Sequence, residues 1–63
     1  MALNENLKEL RAKKGLTQDE VAKAVGVAQP VYNGYESGLK VPSLGTAQAL
    51  ADLFETTIDE LVK

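Results

Sequence analysis

Gln18 to Ser37 reads QDEVAKAVGVAQPVYNGYES and divides at Gly26 into two short helical segments. Just before it, Thr17 stands three residues ahead of Glu20, the spacing of a capping box in which each side chain serves the other residue's backbone N–H. That box opens a helix with Val21 and Val25 on one face, ending near Gly26. The second segment runs from about Gln29 to Glu36, with Pro30 in its first turn, where a missing N–H costs little, and stops before Ser37 and Gly38. Ala22 faces the turn and must be small, because the following helix crosses close above it. Gly26 supplies the positive φ that a sharp turn requires. Val21, Val25, Val27, Tyr32 and Tyr35 then provide the apolar contacts that lock the angle between two helices meeting across a tight turn. Gly34 is a weak point inside the second of them.

Upstream, Leu3, Leu7 and Leu10 fall at i, i+4, i+7, and Lys13, Lys14 and Gly15 supply basic residues and a glycine stop, so a first helix is expected from Leu3 to Lys14. Downstream, a loop containing Gly38 and Pro42 leads to Ser43, which can cap a fourth helix with Leu44, Ala47, Leu50, Ala51 and Phe54 facing inward. Thr57 and Glu60 form another capping box for a short last helix carrying Ile58, Leu61 and Val62. β-Branched residues never alternate over a useful length, so no strand pattern competes. The expected architecture is all-α, five short helices in a single domain spanning residues 1–63.

The 63 residues are 44% hydrophobic and 25% charged, the balance of a globular domain, and too few for a multidomain enzyme with a large cleft. With neither Cys nor His, the chain has no thiol, disulfide or imidazole, the commonest groups of metal sites and acid/base catalysis. What remains for catalysis is carboxylates, two Ser, four Thr and Lys, so the chain is read as a non-enzyme that uses no cofactor and no metal. Apolar runs are far short of a membrane span and the start lacks a signal peptide's pattern, so a cytoplasmic location is expected, with no membrane partner. The net charge of −2 is unevenly spread. Residues 1–40 hold six basic and five acidic side chains, the remainder one and four, so any surface facing a polyanion belongs to the first two thirds.

Leu7-Lys8-Glu9-Leu10-Arg11, Gly15-Leu16-Thr17-Gln18, Glu20-Val21-Ala22, Gly26-Val27, Tyr35-Glu36-Ser37-Gly38, Pro42-Ser43-Leu44 and Ile58-Asp59-Glu60-Leu61 follow one another in a set order and spacing. In this the chain resembles, over nearly its whole length, the lambdoid phage repressor and Cro type of helix-turn-helix domain, the Xre-like family. The resemblance implies a lambda-repressor-like five-helix domain that regulates transcription, in most cases as a repressor, binding double-stranded DNA as a homodimer with its third helix in the major groove of a two-fold operator.

Carried over position by position, the resemblance implies that Gln18, at the start of the second helix, meets a DNA phosphate. Unpaired N–H groups and the helix dipole favour an anion there, although Asp19 and Glu20 temper it. Ala28, Gln29, Pro30, Asn33 and Gly34 correspond to base-reading positions. Gln29 and Asn33 can pair bidentately with adenine, while Ala28 and Pro30 can only touch apolar edges such as a thymine methyl. Phosphate contacts are implied for Lys40, in the loop before the fourth helix, and for Asn33. Gly34 departs from the long polar or basic side chain common in the family, and Gly34→Arg is expected to strengthen general DNA affinity. Arg11 and Glu36 correspond to a partly buried pair tying the first helix to the end of the third, a structural role shared with Ala22 and Gly26.

Other readings stand beside these. Gln29 and Asn33 also fit a merely solvated helix face. Tyr35 is assigned to the core, whereas Tyr32 is open between core and a stacking surface. Lys8, Lys13, Lys14 and Lys23 read as a solvated face alternating with acids. The net charge and a third helix without Lys or Arg fit an alternative function, a protein-interaction module on the same fold, such as an antitoxin or adaptor. The apolar character of Ile58, Leu61 and Val62 suggests a two-fold contact of modest area through part of the last helix and the loop before it, with core packing against the first helix as the alternative.

Overall fold

The computed structural model describes residues 2–63, which form α1 (Ala2–Lys14), α2 (Gln18–Val25), α3 (Gln29–Ser37), α4 (Leu44–Leu53) and α5 (Ile58–Leu61). There is no strand among the described residues. The expected all-α class with five short helices is therefore observed, with boundaries moved by a residue or so.

Local chemistry accounts for the helix ends. Thr17 Oγ1 accepts from the Glu20 N–H at 3.1 Å while Glu20 Oε1 accepts from the Thr17 N–H at 2.8 Å, so the capping box of α2 closes in both directions. At the other end Gly26 has φ +78°, and the Val27 N–H returns to the Ala22 carbonyl at 3.0 Å, which fixes the sharp turn into α3. Ala28 caps α3 with no side-chain hydrogen bond, and Pro30 occupies its first turn. Ser43 Oγ accepts from the Thr46 N–H at 3.3 Å to open α4. Thr57 Oγ1 accepts from the Glu60 N–H at 3.2 Å to open α5, but the Glu60 carboxylate engages Lys63 Nζ at 3.3 Å, so only one half of that expected box forms. α4 ends without glycine: Glu55 takes φ +55° and the Thr56 N–H closes on the Ala51 carbonyl at 2.9 Å.

The core is built from Leu3 and Leu7 of α1, Val21 and Ala22 of α2, Tyr32 and Tyr35 of α3, Leu50 and Ala51 of α4, with Phe54 and Leu61. α3 packs against both α1 and α2, α4 lies on α2, and α5 bridges α1 and α4. Asn6 Nδ2 donates to the Leu61 carbonyl at 2.8 Å, tying α1 to the end of α5. Tyr32 is fully buried, which settles it as core, and meets Tyr35 edge to face with ring centroids 6.1 Å apart.

Two expectations for the last third are corrected. Leu44 does not face inward but is 77% exposed, because the apolar stripe of α4 starts one turn before the helix reaches the core. Leu61 is wholly buried, so of the three apolar residues assigned to a two-fold contact it belongs to the monomer's core, while Ile58 is half-buried and Val62 exposed.

Candidate nucleic-acid interface

Because Tyr32, Tyr35 and Glu36 turn inward, the opposite side of α3 is left to solvent, and Gln29, Pro30 and Asn33 lie exposed along it, preceded by exposed Ala28. Four of the five residues expected to read bases thus share an accessible row. Gln29 and Asn33 are one turn apart, about 6 Å along the helix axis.

Gly34 is the exception. It is buried, and an added Cβ would stand only 2.9 Å from Lys40 Cγ, 3.0 Å from Cδ and 3.2 Å from Cβ. The expectation that Gly34 lies on the open reading face is therefore corrected, and an arginine placed there would have to displace the Lys40 stem. The cause is the loop after α3, which folds back over the helix and brings the Lys40 N–H to the Gly34 carbonyl at 3.1 Å.

Behind the exposed row lies a hydrogen-bonded network that joins three helices. Arg11 of α1 grips Glu36 of α3 with Nε to Oε2 at 2.6 Å and Nη2 to Oε1 at 3.1 Å, and its Nη1 donates to the Leu16 carbonyl at 3.0 Å. The pair assumed from the resemblance is present. Its partners are unequally buried, the Arg11 side chain being 24% exposed and that of Glu36 2%. Gln18 of α2 joins them, donating from Nε2 to Glu36 Oε1 at 3.0 Å. Since an ionised carboxylate only accepts, this contact fixes which end of the Gln18 amide faces inward. Gln18 Oε1 then faces out, where it accepts from Gln29 Nε2 at 3.0 Å and from Asn33 Nδ2 at 3.1 Å.

Titration follows from the same geometry. Burial by itself pushes the Glu36 carboxyl up, but hydrogen bonds from Arg11 and Gln18, the nearby Tyr32 hydroxyl and the Arg11 charge together outweigh it and hold the carboxyl below its ordinary value. Arg11 is raised in turn, first by its hydrogen bond to Glu36. Burial, and then the negative Glu36, push the Tyr32 hydroxyl far above its usual range, although its oxygen lies outside hydrogen-bond geometry with any neighbour among the described residues.

The network changes the reading of Gln18. Its side chain is half-buried rather than projecting from the α2 N-terminus, and one of its two amide hydrogens is committed to Glu36. The other remains available to an anion. Gln29 and Asn33 each spend one hydrogen on Gln18 and keep one donor and one acceptor, the pair that adenine N7 and N6 require. No local signal reveals this arrangement, because Gln18 reaches residues 11, 15 and 18 positions away.

Cations are sparse at this face. Lys23 pairs with Asp19 and Lys14 with Glu55, both at 3.2 Å, in keeping with a solvated face, whereas Lys40 is exposed and makes no ion pair among the described residues. Among those residues no cluster of three or more His, Cys, Asp or Glu is placed to hold a metal ion, and no helix is long and apolar enough to cross a membrane.

Residues 7–61 match the helix-turn-helix family. The chain is 48% identical over 58 residues to AnsR, an HTH-type transcriptional regulator of Bacillus subtilis, covering 92% of this chain and 50% of that one. It is 39% identical over 56 residues to RstR, a cryptic phage CTXphi transcriptional repressor of Vibrio cholerae, covering 89% and 50%. It therefore spans about half the length of these two relatives. The solution structure of LexA from Eubacterium rectale, an SOS-response transcriptional repressor, matches with a TM-score of 0.93 and 37% identity over 98% of this chain and 66% of that one. By sequence and by fold, the chain belongs to the helix-turn-helix family of the Xre, lambda-repressor-like kind.

Proposed function

We propose that this chain is a sequence-specific DNA-binding transcriptional regulator, acting as a repressor in the cytoplasm, with α3 entering the major groove. The observation that carries the reading is the exposed pair Gln29 and Asn33, one turn apart and both braced by Gln18. Gln29 and Asn33 supply base choice, Ala28 and Pro30 touch apolar base edges, and Lys40 with the free amide hydrogen of Gln18 sets register on phosphates, since the one hydrogen Asn33 keeps is needed at a base edge. The naming of AnsR, RstR and LexA as transcriptional regulators or repressors supports it. Nothing in this role calls for turnover or a cofactor.

The operator reading requires two copies related by a two-fold axis. A shallow apolar hollow of about 270 Å³ lies between the loop before α4 and the chain end, bordered by Val41, Leu44, Ile58 and Val62. Three of these, Val41, Leu44 and Val62, are exposed, and a second copy covering them would form the modest C2 contact of a homodimer. The same exposed apolar loop, together with α3's lack of Lys and Arg, favours one second reading, a protein-interaction module that binds no DNA.

Selection from random duplexes followed by binding at graded salt tests the choice. A DNA regulator recovers a preferred sequence and loses affinity steeply as salt rises. Failure to enrich any sequence, with binding that ignores salt, would overturn it in favour of the interaction module.

A further inference from the structure

Gly34 sits inside α3, where glycine is disfavoured relative to almost any other residue. Its φ is not positive, so no turn geometry requires it. What occupies the space of a side chain there is Lys40. The chain leaves α3 through Gly38 at φ +85°, returns to place the Lys40 N–H on the Gly34 carbonyl at 3.1 Å, and lays Cβ, Cγ and Cδ of Lys40 within 2.9–3.2 Å of the position a Gly34 Cβ would take. A lysine stem resting on a helix backbone has less rotamer freedom to lose on binding than one in open solvent. α3 meanwhile has no Lys or Arg of its own, and Lys40 is exposed and in no ion pair among the described residues.

We propose that Gly34 is a positioning residue for DNA binding: lacking a side chain, it seats the Lys40 stem on α3 and so lends a helix with no cation of its own one for a backbone phosphate beside the row of Gln29 and Asn33. This rests on the DNA-binding reading above. A side chain at position 34 lifts Lys40 off its seat, so Gly34→Ala removes the effect of Lys40 without touching its charge.

The test uses wild type, G34A, K40A and G34A/K40A, each measured for binding to labelled duplex DNA across a salt series and for thermal melting. K40A should lose about one unit of the log–log salt slope, so that its deficit against wild type shrinks about three- to fourfold between about 50 and 200 mM salt. G34A should lose most of the same slope, and the double variant no more than K40A. Melting gives a readout independent of DNA. In the K40A background, which removes the Cγ and Cδ contacts and leaves only the Cβ at 3.2 Å, Gly34→Ala should raise Tm by up to about 4–8 °C, the gain of replacing glycine in a helix, and in the Lys40 background clearly less, because there the new methyl must push the whole stem away. Equal melting gains in both backgrounds, or binding losses that multiply, would overturn the seat while leaving DNA binding intact. Wild type failing to bind duplex at any salt would overturn the DNA reading itself, and with it the phosphate contact of Lys40.

Discussion

Removing one partner of the Arg11–Glu36 pair is the perturbation whose size the structure defines best. Losing one side of a buried ion pair costs about 3–5 kcal/mol, chiefly from the charge left behind. Glu36 is the more deeply buried partner, so R11M strands a carboxylate that water barely reaches and should cost about 3–4 kcal/mol. E36L strands a guanidinium that is a quarter exposed and still bonded to the Leu16 carbonyl, so about 2–3 kcal/mol is expected. A domain of this size has roughly 3–9 kcal/mol in total, so R11M should lower Tm by about 12–32 °C and leave a partly unfolded population at ambient temperature. R11M/E36L leaves no stranded charge and should be more stable than the sum of the single losses allows, with a coupling of about 1–3 kcal/mol.

pH dependence gives the same pair a second, sharper readout. In wild type the folded Glu36 carboxyl titrates below its ordinary value of 4.5, so its stabilisation is complete above about that pH and is lost as pH falls through the folded value. In R11M the chief opposing influence is gone and burial, which pushes the carboxyl up, should prevail. The sign then reverses: the folded state binds the proton more readily than the unfolded chain, and stability should rise as pH is lowered from 7 towards 5. Thermal or urea melts of the four proteins between pH 3 and 7 measure both effects. Additive losses in the cycle, together with an R11M profile parallel to wild type, would refute the account of a buried pair.

Gln29→Ala or Asn33→Ala should each weaken binding to a selected duplex by about 1–3 kcal/mol and relax preference at one or two base pairs, read by repeating the random-duplex selection with each variant. Glu55→Gly should raise stability by about 0.5–1 kcal/mol, measured by urea denaturation, because Glu55 holds the left-handed conformation at the end of α4 and its exposed contact with Lys14 is worth little. Leu44→Glu should abolish self-association in sedimentation velocity while leaving Tm within a few degrees of wild type, since Leu44 lies outside the core; a dimer that survives the change places the contact elsewhere.

Features that depend on neighbours in sequence were legible. The Thr17–Glu20 box, the Gly26 turn and the Ser43 cap each need only two or three adjacent residue types, and each formed. Arg11 and Glu36 came from the family pattern, since nothing local relates residues 25 positions apart. Where the reading failed, tertiary placement was the missing term. Periodicity put Leu44 on the inward stripe of α4 but cannot say where along the helix the core begins. A helical wheel puts Gly34 on the face of α3 but cannot show the loop that folds back to cover it. The end of α4 escaped notice because Glu55 adopts a conformation that glycine usually advertises.

The sharpest consequence of the network concerns Gln18, because it joins the residue that stabilises the fold to those assigned to reading DNA. The Glu36 carboxylate, held ionised by Arg11, orients the Gln18 amide, and the amide's oxygen in turn gathers Gln29 and Asn33. Gln18→Met nearly conserves volume but can neither donate to Glu36 nor accept from the two reading residues. Glu36 keeps both Arg11 bonds, so stability should fall by only about 1–2 kcal/mol, near the range for one hydrogen bond to a charged group. Base preference should fall further than that loss implies, although Gln29 and Asn33 are unchanged, because both regain rotamer freedom that binding must then remove. Comparing the variant on a selected duplex and on an unrelated one separates the two effects: lost folding weakens both alike, whereas lost bracing narrows the ratio between them. An unchanged ratio would mean that Gln29 and Asn33 read DNA without help from Gln18, and that the three-amide cluster belongs to the unbound protein alone.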